Sequence, residues 1–287
     1  MASFPHFGAK FRPIGRACYG ELGDRPWPDV FYEPGVKAIL ILAIAVLLPP
    51  LAARAEDSDP IMARLSAEKA AMPEAGLYSA GGGRDFILAP YRNNKYLLRF
   101  ADGGETFVLT ADPGSLGAKL LKYDTGAAAL SVSVWGGVTL YAADAPGGLP
   151  ATRQGEAAPL APTPVSAAEL KSALADEGSH FSYAENVGLR FVMDPPGDGD
   201  GRALAFDVLA IAQAGIERFV ATSAAARQAL ARRVTQVRLE KSSKPAILLN
   251  ARILVVRYVP SEGFLGRASS HAVAHQLGKL LSIPTAE

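Results

Sequence analysis

Between Leu77 and Ala143 the chain stops again and again for a tight turn, which leaves room only for short strands. Arg84–Tyr91, Lys95–Ala101 and Glu105–Thr110 are rich in Phe, Tyr, Leu and Val. Asn93-Asn94 and Asp102-Gly103-Gly104 separate them, and Asp112-Pro113-Gly114 follows. Lys119–Tyr123, Ala127–Val134 and Val138–Ala143 come next, divided by Asp124-Thr125-Gly126 and Gly136-Gly137. Asn and Gly reach the left-handed backbone that hairpin turns need. Six short strands joined in this way predict an antiparallel β-meander, closed as a small barrel or packed as a sandwich. The β-rich domain is drawn over 77–146.

Gly147–Val165 holds four prolines and no hydrophobic period, and is read as a linker. Helical signals begin after it. Ser166-Ala-Ala-Glu169 is a capping box, followed by Leu170 and Leu174 on one helix edge, with Gly178 as the stop. Val187–Met193 reads as a strand and Asp194–Gly201 as a loop. Leu204, Val208, Ile211, Ile216 and Phe219 mark one face of a long amphipathic helix, which Gly215 kinks or divides. A further helix is expected over Ala224–Arg233. Thr235–Glu240 alternates, with Val237 and Leu239 inward. Ala246–Leu249 and Ile253–Val259 flank the two-residue turn Asn250-Ala251. Ile253–Val256 is apolar throughout, which predicts a central strand in a covered sheet. Ser269–Leu281 is the last helix. The class expected is α+β: a β-meander linked to an α+β half, 166–287, with a short sheet covered by helices.

Upstream, Val36–Ala55 has the three parts of a secretory signal peptide: Lys37, the apolar run Ala38–Leu48, and the small-x-small site Ala53-Arg54-Ala55. Pro49-Pro50 ends the run far short of the about 20 residues that a spanning helix needs. Residues 1–35 show no helical or strand period and read as a leader ahead of a true start at Val36. The segment 56–76 is a polar lead-in. An exported, periplasmic or secreted product with no permanent membrane span after cleavage is expected.

Composition narrows the function classes. Six of the 29 basic and four of the 28 acidic residues lie in 1–55, which leaves 23 against 24. So even a balance argues against a nucleic-acid binder, which needs a basic stripe. The single cysteine, Cys18, also lies in the leader, so the exported chain has neither disulfide nor thiol chemistry.

The candidate motifs are weak. His271 and His275 have chelating spacing, but Ala272 stands where a zinc protease has Glu, and both point away from the face of Val273, Leu277, Leu280 and Leu281. They read as a solvated face. Ser66-Ala-Glu-Lys69 matches S-x-x-K without a K-T-G partner. Asp198-Gly-Asp200-Gly201 resembles a calcium loop whose first ligand position is Pro196, and reads as a helix-capping turn. Gly81-Gly-Gly83 precedes a strand, not a phosphate-binding helix. Trp135 beside Gly136-Gly137 and Tyr141 reads as a core tryptophan at a strand bend, with a stacking platform as the functional alternative. No metal or cofactor is expected. The best site is the loop into the last helix: Arg267, Ser269 and Ser270 would form an anion pocket from a guanidinium, an N-cap and free helix amides.

The runs VWGGVTLY (134–141), GLPA (148–151) and GFLGRASS (263–270) resemble an uncharacterised family of exported bacterial proteins, over about Leu77 to Leu281. The resemblance implies export and no particular activity. The reading is therefore an exported, non-catalytic binding or envelope-interaction module. Its partner would be a small anionic ligand or an envelope protein. The alternative is a periplasmic serine-dependent hydrolase using Ser269 or Ser270 with His180. The signal reading predicts that the product in the cell begins at Glu56. N-terminal sequencing checks this, and a stable membrane-bound species retaining Val36–Ala55 contradicts it.

Overall fold

Eight short strands with alternating side chains have enough inward-facing positions to fill a closed barrel, and this chain builds one. The computed structural model describes residues 72–283. The leader, the signal-like segment 36–55 and Ser66–Lys69 lie outside the described residues. The strands are β1 (Gly76–Ala80), β2 (Arg84–Pro90), β3 (Lys95–Phe100), β4 (Thr106–Pro113), β5 (Lys119–Lys122), β6 (Ala128–Val132), β7 (Val138–Ala142) and β8 (Ala145–Gly155). Each pairs antiparallel with the next, and β8 returns to β1, with Ala151 opposite Ala80. Phe86, Leu88, Leu98, Leu109, Leu121, Leu130 and Leu140 are fully buried inside, so the barrel is a packed core and not a channel.

The six strands read from the sequence are all present. The two it misses, β1 and β8, are the pair that closes the barrel. Strand β8 occupies the first half of the stretch read as a linker, whose glycines and Pro150 imitate a loop. Gly148 instead lets β8 lie close to β7. A Cβ there would sit 2.5 Å from Thr139 Cγ2 and 3.1 Å from Tyr141 Cε1, at a φ of +84°.

After 156–165 come α1 (Ala167–Ala184), β9 (Arg190–Met193), α2 (Gly199–Ala221), α3 (Ala224–Arg233), β10 (Gln236–Lys241), β11 (Ala246–Asn250), β12 (Ile253–Tyr258) and α4 (Ser270–Leu281). The sheet order is β11-β12-β10-β9, with β9, β10 and β12 parallel and β11 antiparallel. Strand β12 lies between β10 and β11, as its apolar run predicts. Val237, Leu239, Leu254 and Val256 pack against Val208, Ile216, Phe219, Val273 and Leu277 of the helices. Val255 alternates to the other face, where Arg238 is exposed and Arg257 pairs with Glu240 at 3.4 Å. Among the described residues, no helix is long and apolar enough to cross a membrane.

Two glycines read as helix breakers are helix-packing glycines. Helix α1 continues through Gly178, whose missing Cβ would lie 3.0 Å from Leu189 O of the segment entering β9. Helix α2 runs unbroken through Gly215, where α4 crosses it. A Cβ at 215 would lie 2.4 Å from Val273 Cβ and 2.9 Å from Ser270 O. Gly215→Ala should therefore destabilise the fold by about 1–3 kcal/mol, the usual cost of overpacking. Val273→Ala in the same chain should recover only the part due to Val273 Cγ1, 2.6 Å from that Cβ, because the alanine keeps its own Cβ. Urea unfolding of the two single variants and the double variant measures both, and an unchanged midpoint for Gly215→Ala contradicts the packing.

Candidate functional site

An up-and-down barrel sends alternate hairpins to the same end. The turns after β1, β3, β5 and β7 therefore share one end, and they carry Arg84 and Asp85, Asp102 and Glu105, Asp124, and Asp144. Two of these acids reach the start of α4.

A helix start leaves amides unpaired and attracts negative charge. Ser269 is the N-cap, and its Oγ accepts from Ala272 N at 3.1 Å. Asp124 accepts twice from that residue, Oδ2 from the Ser269 amide at 2.7 Å and Oδ1 from the hydroxyl at 2.6 Å. Glu105 repeats the pattern on Ser270, Oε1 taking the amide at 2.8 Å and Oε2 taking the hydroxyl. Ser270 Oγ in turn accepts from Arg218 Nε of α2 at 3.0 Å. Each serine hydroxyl thus gives its one proton to a carboxylate.

Arg267 is buried just upstream. Its Nε pairs with Asp207 of α2, and its Nη2 donates to the Thr106 carbonyl of β4 at 2.7 Å. The guanidinium lies over the Phe264 ring, 5.1 Å from its centre, and Phe264 packs edge-on to Tyr91 of the barrel. Arg267 therefore ties three elements together: the 260–267 loop, β4 and α2. Arg267 and Ser269 also border a small pocket of about 140 Å³ with Lys95, Thr110 and Asp124.

Burial governs the ionisation here. It raises the Glu105 carboxyl, while the Ser270 bonds and the charges of Arg267 and Arg218 pull it back. It raises Asp207 in the same way, against Arg267 and Arg99. Tyr123 is pushed up to about 12, chiefly by burial. His271 is pulled down to about 4 by burial and then by Arg218, with Asp124 opposing. Its ring sits 5.1 Å from that of Phe107 and 4.7 Å from that of Tyr123. The solvated face expected for His271 is thus corrected: the side of α4 turned from its own core meets the barrel.

Beside this junction lies a cleft of about 620 Å³ between the barrel end and α2. Asp207, Ala210, Ala214 and Arg218 line one wall, at helical spacing. Asp85, Asp102, Glu105 and Arg84 come from the barrel turns, with Phe100 and Phe107 as apolar floor. Arg84 is tied to Asp144 and Arg218 to Ser270.

The structure brings Arg267, Ser269 and Ser270 together, with the chain's own carboxylates as their anions. His180 is elsewhere: it sits on α1, 3.0 Å from Glu217 Oε1. Asp198 caps α2 by accepting from Gly201 N at 2.9 Å. Gly82 and Gly83 take positive φ in the β1–β2 turn. Trp135 is not a core residue; it is 93% exposed at the tip of the β6–β7 hairpin. Among the described residues, no group of three or more His, Cys, Asp or Glu is placed to hold a metal ion. Sequence reasoning missed Glu105, Asp124, Asp207 and Arg218. One signal was present: Asp207 interrupts the apolar run ALAFDVLAIA, and Arg218 lies eleven residues on, three helical turns along the same face.

The depressed His271 predicts a pH dependence. Its folded value of about 4 lies below the ordinary 6.5. The unfolded chain therefore takes up the proton first, and stability is full above pH 6.5 and falls as pH drops toward 4. The shift corresponds to at most about 3 kcal/mol. Glu105 and Asp207, whose values are raised, act oppositely, contributing stability at low pH that is lost as pH rises. His271→Phe, which keeps an aromatic ring against Phe107 and Tyr123, should flatten the decline between pH 6.5 and 4. Denaturant midpoints across that range check this, and an unchanged acid slope contradicts it.

No curated protein and no solved structure matches the chain. Residues 59–277 match a family described as a domain of unknown function, DUF4908. That match spans most of the chain, including the strands that form the barrel, the helix crossing and α4 as far as Leu277, and the chain belongs to this family.

Proposed function

We propose that the chain is a non-catalytic binding module that takes a small ligand bearing a cationic group into the cleft between the barrel end and α2. The supporting observation is the cleft's charge. Asp85 and Asp102 are exposed and stand with Glu105 and Asp207, while Arg84 and Arg218 are held by Asp144 and Ser270. Glu105 and Asp207 are themselves engaged, by Ser270 and Arg267, so Asp85 and Asp102 are the carboxylates open to a cation, beside an apolar floor suited to the rest of a small molecule. The chemistry of Ser269 and Ser270 supports binding over hydrolysis. Neither is more than 3% exposed, and both hydroxyl protons are committed to carboxylates. The signal-like segment 36–55 supports placing this module in the periplasm or outside the cell.

A small anion at Arg267, Ser269 and Ser270 remains the second reading. It requires the anion to replace Asp124 or Glu105 at the start of α4.

A thermal-shift titration of the full chain separates the two, since any ligand of the folded state raises its melting point. Polyamines and basic amino acids should raise it, and Asp85→Asn with Asp102→Asn should abolish the rise without lowering the unliganded midpoint. Phosphate, sulfate and short carboxylates should have no specific effect. Arg267→Ala should cost about 3–5 kcal/mol, because it leaves Asp207 buried and unpaired. A rise with anions but not amines, lost in Ser269→Ala, contradicts the cleft reading and favours the helix start.

A further inference from the structure

The barrel end remote from α2 has the opposite chemistry. Met72, Leu116, Val134 and Trp135 account for four of the five exposed large apolar side chains among the described residues, the fifth being Tyr183 on α1. All four lie at this end. Leu116 occupies the β4–β5 connection and Trp135 the β6–β7 turn, and both are more than 90% exposed. The two tips adjoin, since a Cβ on Gly117 would lie 3.0 Å from Val134 Cγ1. Met72 Sδ accepts from Tyr96 Oη at 2.8 Å and from Lys119 Nζ at 3.2 Å, placing Lys119 beside the patch. Leu116 holds a positive φ of 54°, a conformation uncommon for a leucine. Tips of this kind ordinarily carry Gly, Asn or Asp.

The charges are equally one-sided. The turn stretches 91–95, 113–119 and 133–137 contain Arg92, Lys95 and Lys119 and no Asp or Glu. The turns at the cleft end carry Asp85, Asp102, Glu105, Asp124 and Asp144 against the single cation Arg84. Of the acids on strand ends near the patch, Asp112 pairs with Lys122 and Glu74 with Arg153, while Glu156 follows the last residue of β8.

We propose that this end of the barrel docks on an anionic lipid bilayer, with Trp135 and Leu116 entering the headgroup region and Arg92 and Lys119 among the phosphates. Tryptophan is favoured at that depth because its ring is amphipathic. Two small protruding tips suit shallow insertion, and cations around them add attraction that salt screens. This surface is independent of the cleft, which faces the other way along the barrel axis.

The test uses the full chain with Trp27→Phe, which leaves Trp135 as its sole tryptophan. Vesicles of phosphatidylcholine containing phosphatidylglycerol should shift Trp135 emission to the blue, and bromine-labelled lipid should quench it. Pure phosphatidylcholine vesicles and high salt should weaken both. Arg92→Glu and Lys119→Glu should each raise the lipid concentration needed for the half-maximal Trp135 shift roughly fivefold to tenfold. Leu116→Ser should weaken the shift as well, and because Leu116 is exposed the fold should be kept, which circular dichroism checks. Because the apolar run 38–48 can bring the chain to vesicles by itself, the readout is Trp135 emission and not binding alone. Emission unmoved and unquenched in vesicle-bound protein overturns the proposal. So does a Leu116→Ser variant that changes the sedimenting mass but not the vesicle response, which assigns the patch to a second copy of the chain.

Discussion

Two carboxylates from the barrel occupy the start of α4, and the joining of the two halves rests on them. Asp124 and Glu105 each take an amide and a hydroxyl from consecutive serines. Such bonds satisfy amides that a helix start leaves open and place negative charge where the helix dipole favours it. Glu105 is largely taken out of water, which is costly and raises its carboxyl, whereas Asp124 stays exposed. The cost is offset because each Glu105 oxygen has a donor on Ser270. Arg267 extends the junction to Asp207 and β4, and Arg218 links it to α2. Both halves consequently fall within one compact unit.

This junction also sets the character of the cleft. Helix α2 serves the α+β core with Leu204, Val208, Ile216 and Phe219, and lines the cleft with Asp207 and Arg218. A slide of α2 and α4 along the barrel would break the Asp124 and Glu105 bonds and the Arg267 bond to the Thr106 carbonyl together. The glycine crossing at Gly215 fixes α4 against α2 with almost no slack. The cleft walls are thus held by the contacts that join the halves, which suits a preformed binding site.

Much of the fold was legible because it is written in local chemistry. Asn93 and Asn94 adopt the positive φ that their turn needs, Ser166 and Glu169 form both halves of the capping box, and Val237 and Leu239 point inward. What was not legible depends on partners distant in sequence. Gly148 looks like a linker residue until Tyr141 is seen beside it, and Gly215 like a break until Val273 is. In sequence, Arg267, Ser269 and Ser270 read as an anion site. The carboxylates bonded to the two serines come from 145 and 165 residues away, separations no local pattern reports. His271 was assigned to solvent because helical periodicity shows which face is apolar, not what a second domain places against the other.

The central claim is that the barrel and the α+β half open as one unit through the Asp124 and Glu105 contacts. Native-state hydrogen exchange tests it most directly. In the wild type, the slowest amides of β4 and β6 and those of α4 should exchange with the same free energy and the same denaturant dependence. Asp124→Ala combined with Glu105→Ala should split them, α4 exchanging at lower free energy than the barrel. Separate exchange of barrel and helix amides in the wild type, or an unsplit pattern in the double variant, would contradict the account.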